Sequence, residues 1–236
     1  DVELLLLSHQ HSDHLGLAAT IRRRSGCTVA VHLALAGYVR DVQASLAAEE
    51  AWEDGLLLLH GTPPDRRTAF LGIAGTRRRY GGKGVAVDRV LADGDVVEAG
   101  GRRFRVALRP GHSPTDTIFV DDATGMAIVA DHLIAHISSN PLVHRPPTGS
   151  DDPALRSSAL AAYLESLAET AEEDLSLLHT GHGAVIGDHR ALIADRVRLH
   201  HERADQVHEA LAAGPRSASE LRATLWPSIA ANQTYL

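Results

Sequence analysis

The sequence holds a single cysteine and almost no lysine, and no apolar run in it approaches the roughly 18 residues of a membrane-spanning helix. One thiol, Cys27, excludes an intrachain disulfide and a cysteine-based structural zinc site, and it fits a reducing, cytoplasmic setting. The lack of a charged-apolar-small leader pattern gives no signal peptide, so a soluble protein with no membrane partner is expected. A net charge of -7 and a pI of about 6.1 argue against an extended phosphate-binding face. The basic residues are arginines in three clusters, Arg22 to Arg24, Arg66 with Arg67, and Arg77 to Arg79. These read as solvated surface or as a local site for an anionic group. What remains is a chain of 236 residues, 44% hydrophobic, enough for a substantial core and one domain plus an appendage.

Asp1 to Leu7 reads as a buried strand that begins with nothing before it to pair with, so an N-terminal piece is expected to be missing. The end at Thr234-Tyr235-Leu236 is equally abrupt, as in a fragment of a longer protein. A helix over Leu15 to Arg24 and a strand over Thr28 to His32 give a βαβ rhythm. Leu33 to about Gly82, rich in Ala, Leu and Glu, reads as a helical insertion or lid. Short strands over Val85 to Leu108 and a hairpin of Thr117 to Val120 with Met126 to Ala130 predict a mainly antiparallel middle. A helix from Pro153 to about Glu173, a strand over Leu175 to Leu178, and a long helix over Ala191 to Ala213 follow. Ser217 to Leu225 reads as a Ser-capped helix with Glu220 three positions after its cap.

The chemistry concentrates where strands run into loops. In Ser8-His9-Gln10-His11-Ser12-Asp13-His14 the alternation of His9 and His11 puts two imidazoles on one side of an extended backbone. Asp13 and His14 follow in a turn that starts a helix, placed to face a second ion. The bland alternative is a His-rich surface loop. Imidazole and carboxylate without thiolate suit zinc, with iron or manganese as alternatives. These four residues cannot complete two ions, and the sequence offers three more at loop positions. His112 follows an apolar strand in Pro110-Gly111-His112-Ser113-Pro114. Asp131 ends the apolar run Ala127 to Ala130, where an unpaired carboxylate is costly and a place between two cations satisfies it. His182 lies in Gly181-His182-Gly183, whose glycines allow a sharp turn.

Together these residues resemble the metallo-β-lactamase superfamily: His-x-His-x-Asp-His, a His in a strand-end loop, a bridging Asp, then a late Gly-His, over about residues 1 to 36 and 85 to 190. The resemblance implies an α/β αββα sandwich with the site at one edge of two sheets. It implies one metal held by His9, His11 and His112, the other by Asp13, His14 and His182, with Asp131 bridging. Asp rather than Cys at 131 resembles the branch of glyoxalase II, lactonases and nucleases and points away from antibiotic hydrolysis. His11, where a carboxylate would stand, points away from the di-iron flavoproteins. Residues 196 to 236 are similar to the winged-helix extension of the β-lactamase-like protein 2 group, cut before the wing, whereas 1 to 195 form the main domain with 33 to 82 as its lid. A helical hairpin packing on the sandwich or on a second subunit is the plainer reading of that tail.

The expected function is hydrolysis of a small ester, thioester or lactone by water activated between two zinc ions, with Asp13 also orienting the nucleophile or moving a proton. The alternatives are a metal-dependent endoribonuclease or phosphodiesterase, and a non-catalytic metal-binding or regulatory module. The expected partner is a small molecule, held by lid residues such as Trp52, Leu56 to Leu59 and the arginines, with nucleic acid and a homo-oligomer left open. Ser8, Ser12, Ser113, Thr115 and Asp116 are candidates to support the imidazoles.

Overall fold

The computed structural model describes residues 2–146, 152 and 158–227. Two sheets face each other. The first has the order β1-β2-β3, all parallel, from β1 (Leu4–Leu7), β2 (Thr28–His32) and β3 (Arg89–Leu91). The second has the order β4-β5-β6-β7-β8, from β4 (Val96–Ala99), β5 (Arg102–Leu108), β6 (Thr117–Asp121), β7 (Met126–Ala130) and β8 (Leu177–Thr180). Its first four strands are antiparallel, and β8 joins β7 in parallel.

The period-two alternation of each strand sorts its side chains into two layers. Leu4, Leu6 and Ala30 face inward and meet Val97, Phe104, Val106 and Phe119 of the opposite sheet. Leu7, Val29 and Val31 face outward onto a layer made by Leu15, Leu35, Val39 and Leu46. On the far side Ile118, Val120, Ala127 and Val129 meet Tyr163, Leu167 and Ile193. Three apolar clusters between four layers are the αββα sandwich that the resemblance implied.

The outer layers are α1 (Ser12–Leu15), α2 (Ala18–Ser25), α3 (Leu33–Arg40) and α4 (Val42–Leu59) on the first sheet, with α5 (Pro64–Tyr80) packed on α4, and α6 (Ala159–Glu172) and α7 (His189–Leu211) on the second. The stretch expected as an insertion is three helices, and its first part is core: Leu35, Ala36, Val39, Val42 and Leu46 are all buried against β1 and β2. β3 departs from the expected antiparallel middle because it returns after that excursion to lie beside β2 in the same direction. β8 begins two residues later than expected, and Pro153 lies outside the described residues. α7 runs unbroken through residue 195, so the tail starts inside a helix. The predicted Ser217 cap is present as a reciprocal capping box on α8 (Ala218–Leu225), which rests on α7 and, through Ser219 N to His60 O at 3.4 Å, on the α4–α5 turn. The segment where a wing would follow lies outside the described residues.

Candidate metal centre

β1 delivers the chain to the His-rich run, which stays extended to His11, the N-cap of α1 at φ -71° and ψ 147°. The turn into α1 then redirects Asp13 and His14. Two donor groups result, and within each the nearest donor atoms all lie within 4.8 Å of one another: His9, His11, His112 and Asp131 in one, Asp13, His14 and His182 in the other. In the first, His11 Nδ1 is 3.1 Å from His9 Nε2 and 2.9 Å from His112 Nε2, and His112 Nε2 is 3.6 Å from Asp131 Oδ2. In the second, His182 Nε2 is 3.1 Å from Asp13 Oδ2 and His14 Nε2 is 3.6 Å from the same oxygen. Asp131 joins the two, with Oδ1 at 3.3 Å from His14 Nε2 and Oδ2 at 3.4 Å from His182 Nε2. The structure thus brings all seven residues named from the sequence to one place.

The donors fit a cation. His14 Nε2 and Asp131 Oδ1 are buried, 3.3 Å apart, and neither has a well-formed hydrogen bond among the described residues. Leaving both bare is costly, and a metal ion satisfies both at once. Burial, followed by the charges of His14 and His112, pushes the His9 pKa down to about 2, and burial together with His9 lowers that of His11. Burial also lowers His112. Neutral imidazole is the form that binds metal. His14 behaves differently. Burial pulls its pKa down, but the adjacent Asp131 carboxylate, aided by Asp13, outweighs that and raises it. Asp131 is held low by the surrounding histidines, led by His14, against the upward pull of its own burial.

Backbone features aim these groups. Ala130 has φ +44°, beside an irregularity between Ile128 and Ala130 in the β7–β8 register, so Asp131 leaves the strand from a strained, left-handed residue. Gly181 is required for another reason than turning. A Cβ there would come within 2.1 Å of Asp131 Oδ1 and 2.7 Å of His14 Cε1. Gly183, at φ +82°, supplies the turn after His182.

Around the donors, Ser8 Oγ is 3.1 Å from His9 Nδ1, and His112 Nδ1 donates to Asn140 O at 3.1 Å. Asp116 is buried, 4.0 Å from His9 Nδ1, and accepts from the backbone and hydroxyl of Ser113 at 2.7 and 2.8 Å, while burial raises its pKa to about 7. Thr115 donates to Gln10 Oε1 at 3.3 Å. Three of the sequence candidates, Ser8, Ser113 and Asp116, therefore lie against or behind His9. A further cluster had no signal in the motif: Gln10 Nε2 and Glu49 Oε1 lie 3.2 and 2.7 Å from Nδ1 of buried His144, whose ring centroid is 5.8 Å from that of His11.

Arginines of the insertion are used within it. Arg67 pairs with Asp54, Arg77 with Glu53 and Arg78 with Glu50, stitching α5 to α4. Arg22 pairs with Asp88.

A sandwich of this topology with His and Asp donors gathered at the strand ends defines a metallo-hydrolase fold. The family model for the metallo-beta-lactamase superfamily matches residues 1–182, and the chain belongs to that superfamily. It is similar to probable metallo-hydrolase YqjP of Bacillus subtilis (strain 168), 26% identical over 237 residues that span 100% of this chain and 71% of that protein. Among solved structures, a metallo-beta-lactamase family protein from Thermus thermophilus aligns with a TM-score of 0.75 at 27% identity, over 96% of this chain and 69% of that one. A beta-lactamase domain protein from Burkholderia ambifaria aligns with a TM-score of 0.74 at 26% identity, over 93% of this chain and 62% of that one. No helix among the described residues is long and apolar enough to cross a membrane.

Proposed function

We propose that the chain is a hydrolase in which His9, His11 and His112 hold one zinc ion, Asp13, His14 and His182 hold a second, and Asp131 serves both, and that it cleaves a small ester, thioester or lactone. The observation that carries this is the convergence of the seven side chains with two bare, buried donor atoms between the groups. Zinc, when bound, supplies Lewis acidity, making water nucleophilic near neutral pH and polarising a substrate oxygen. The buried histidines contribute neutral nitrogens and exclude water from one side. Asp13 is half exposed, so one of its carboxylate oxygens can orient the attacking water or accept its proton while the other faces His182. The pairing of Arg67, Arg77 and Arg78 with acidic partners neutralises much of the lid's basic charge, which supports a small substrate over a polyanion.

Elemental analysis and a panel of esters, thioesters and lactones, with and without chelator, test this. Two zinc ions per chain and chelator-sensitive turnover are expected. A zinc-loaded protein inert toward the panel overturns the hydrolase reading in favour of a metal-binding module.

A further inference from the structure

Position 10 is the unspecified place between His9 and His11, yet Gln10 is buried and its amide reaches two other segments of the chain. The backbone of the His-rich run is held at Ser8 O, which accepts from Thr117 N at 3.0 Å, and at His11 O, which accepts from His14 N and Leu15 N at 3.0 Å. Between these points the extended backbone sends His9 and His11 to one side, where their nitrogens meet, and Gln10 to the other. There Gln10 Oε1 accepts from Thr115 Oγ1 at 3.3 Å, and Gln10 Nε2 lies 3.2 Å from His144 Nδ1. Glu49 on α4 lies 2.7 Å from the same ring nitrogen, which serves one of these partners at a time. In either case the amide is lodged between the His144 ring and Thr115.

Both neighbours of the amide lead to His112. Thr115 belongs to the loop that carries it, and that loop is tied within itself: Asp116 accepts from Ser113 N and Oγ at 2.7 and 2.8 Å, and Ser113 Oγ accepts from Thr115 N at 3.2 Å. A hold on Thr115 is therefore a hold on His112. His144 belongs to the segment after β7, which braces the same residue: Asn140 O accepts from His112 Nδ1 at 3.1 Å, and Leu142 N donates to His112 O at 3.4 Å. That segment is pinned in turn to α4, where Glu49 accepts from Arg145 N at 3.3 Å and Trp52 Nε1 donates to Asp152 O at 3.2 Å. His112 Nε2 then stands 2.9 Å from Nδ1 of His11, the residue next to Gln10, so the contacts close on themselves. Three nitrogens on one tetrahedral zinc ion stand roughly 3.3 Å apart, and a ring free to drift loses that fit. Gln10 carries no charge, so its contribution is geometric.

We infer that Gln10 is a positioning residue for His112: it fastens the two segments that carry and brace that imidazole to the stretch bearing His9 and His11, and so sets the spacing of the three nitrogens. This rests on the donor assignment proposed above. Zinc affinity is measured by competition with a chromophoric chelator on the full chain carrying His182→Ala, which keeps the buried donor group, with and without Gln10→Met, an apolar replacement of similar length. The affinity is expected to fall about tenfold. Combined with His112→Ala instead, Gln10→Met is expected to cost less than about twofold, because the ring it positions is gone. In the metal-free wild-type chain and its Gln10→Met variant, carbethoxylation of each histidine is followed by peptide mass spectrometry. His112 is expected to react faster in the variant, while His189, buried on α7, keeps its rate. An unchanged zinc affinity, an equal loss with and without His112, or an unchanged rate at His112 overturns the inference, and a glutamine that only supports the fold gives the second of these. If Gln10→Met does not fold, Thr115→Val, which removes the hydroxyl bonded to Gln10, is read in the same way. A wild type that takes up no zinc defeats the donor assignment, and the modification rates still judge Gln10.

Discussion

The two halves of the candidate centre are built from the same kinds of side chain and differ in their surroundings. His9, His11 and His112 are buried or nearly so, backed by Ser8, Asp116 and Asn140, and all three have lowered pKa values. Asp13 and His182 are 56% and 48% exposed in their side chains, and His14 between them is raised. One half is therefore largely enclosed and favours neutral donors, and the other is open to solvent. Under the proposed function the difference would divide the tasks, with the buried half retaining its ion and the exposed half exchanging ligands.

The severest way to break this contrast is to remove the residue both halves share. Asp131→Ala is expected to lower metal content below two per chain and kcat/KM by at least about a hundredfold, read by elemental analysis and steady-state kinetics; supporting residues around metals alone cost up to about that much. Gly181→Ala comes next. Its added methyl collides with Asp131 and His14, so metal and activity should both fall while β8, anchored by Leu178 in the core, keeps its far-ultraviolet dichroism. More selective is the pair His182→Ala and His9→Ala. The first should leave one tightly held ion, and the second should weaken both, because His9 packs against His11, His14 and His112. Equal losses would erase the distinction between the halves.

Acid sharpens the comparison. A proton competes with metal for the same lone pair, so the donor with the raised pKa protonates first as pH falls. As pH falls, His14, whose pKa the Asp131 carboxylate raises against the pull of burial, should release its ion before His9, which is held down at about 2. Metal retained against pH should show two steps, and a single step would count against separate environments. The smallest effect lies far from both: Arg67→Ala, at a partly exposed pair with Asp54, is expected to leave the midpoint of chemical denaturation nearly unchanged.

The donor set was legible because each member stands next to a local signal: alternating histidines, a carboxylate closing an apolar run, a histidine between glycines. The sandwich followed from the resemblance those residues carry. Gln10 is the unspecified position inside the motif, and Glu49 and His144 are separated by 95 residues, so their meeting depends on how α4 folds back over the segment after β7. No local pattern encodes such a contact. Ala130 carries no mark of its positive φ either, since alanine ordinarily avoids that region. The parallel placement of β3 was hidden for a similar reason: a strand of three residues shows its partner only after the helices before it have packed.

Gly181 also limits what substitution can do. Any replacement there introduces at least one carbon into space already held by the Asp131 carboxylate and the His14 ring. A side chain at 181 fits only if the carboxylate at 131 and the ring at 14 both move, so these positions behave as one steric unit and a change at any of them is felt by the others.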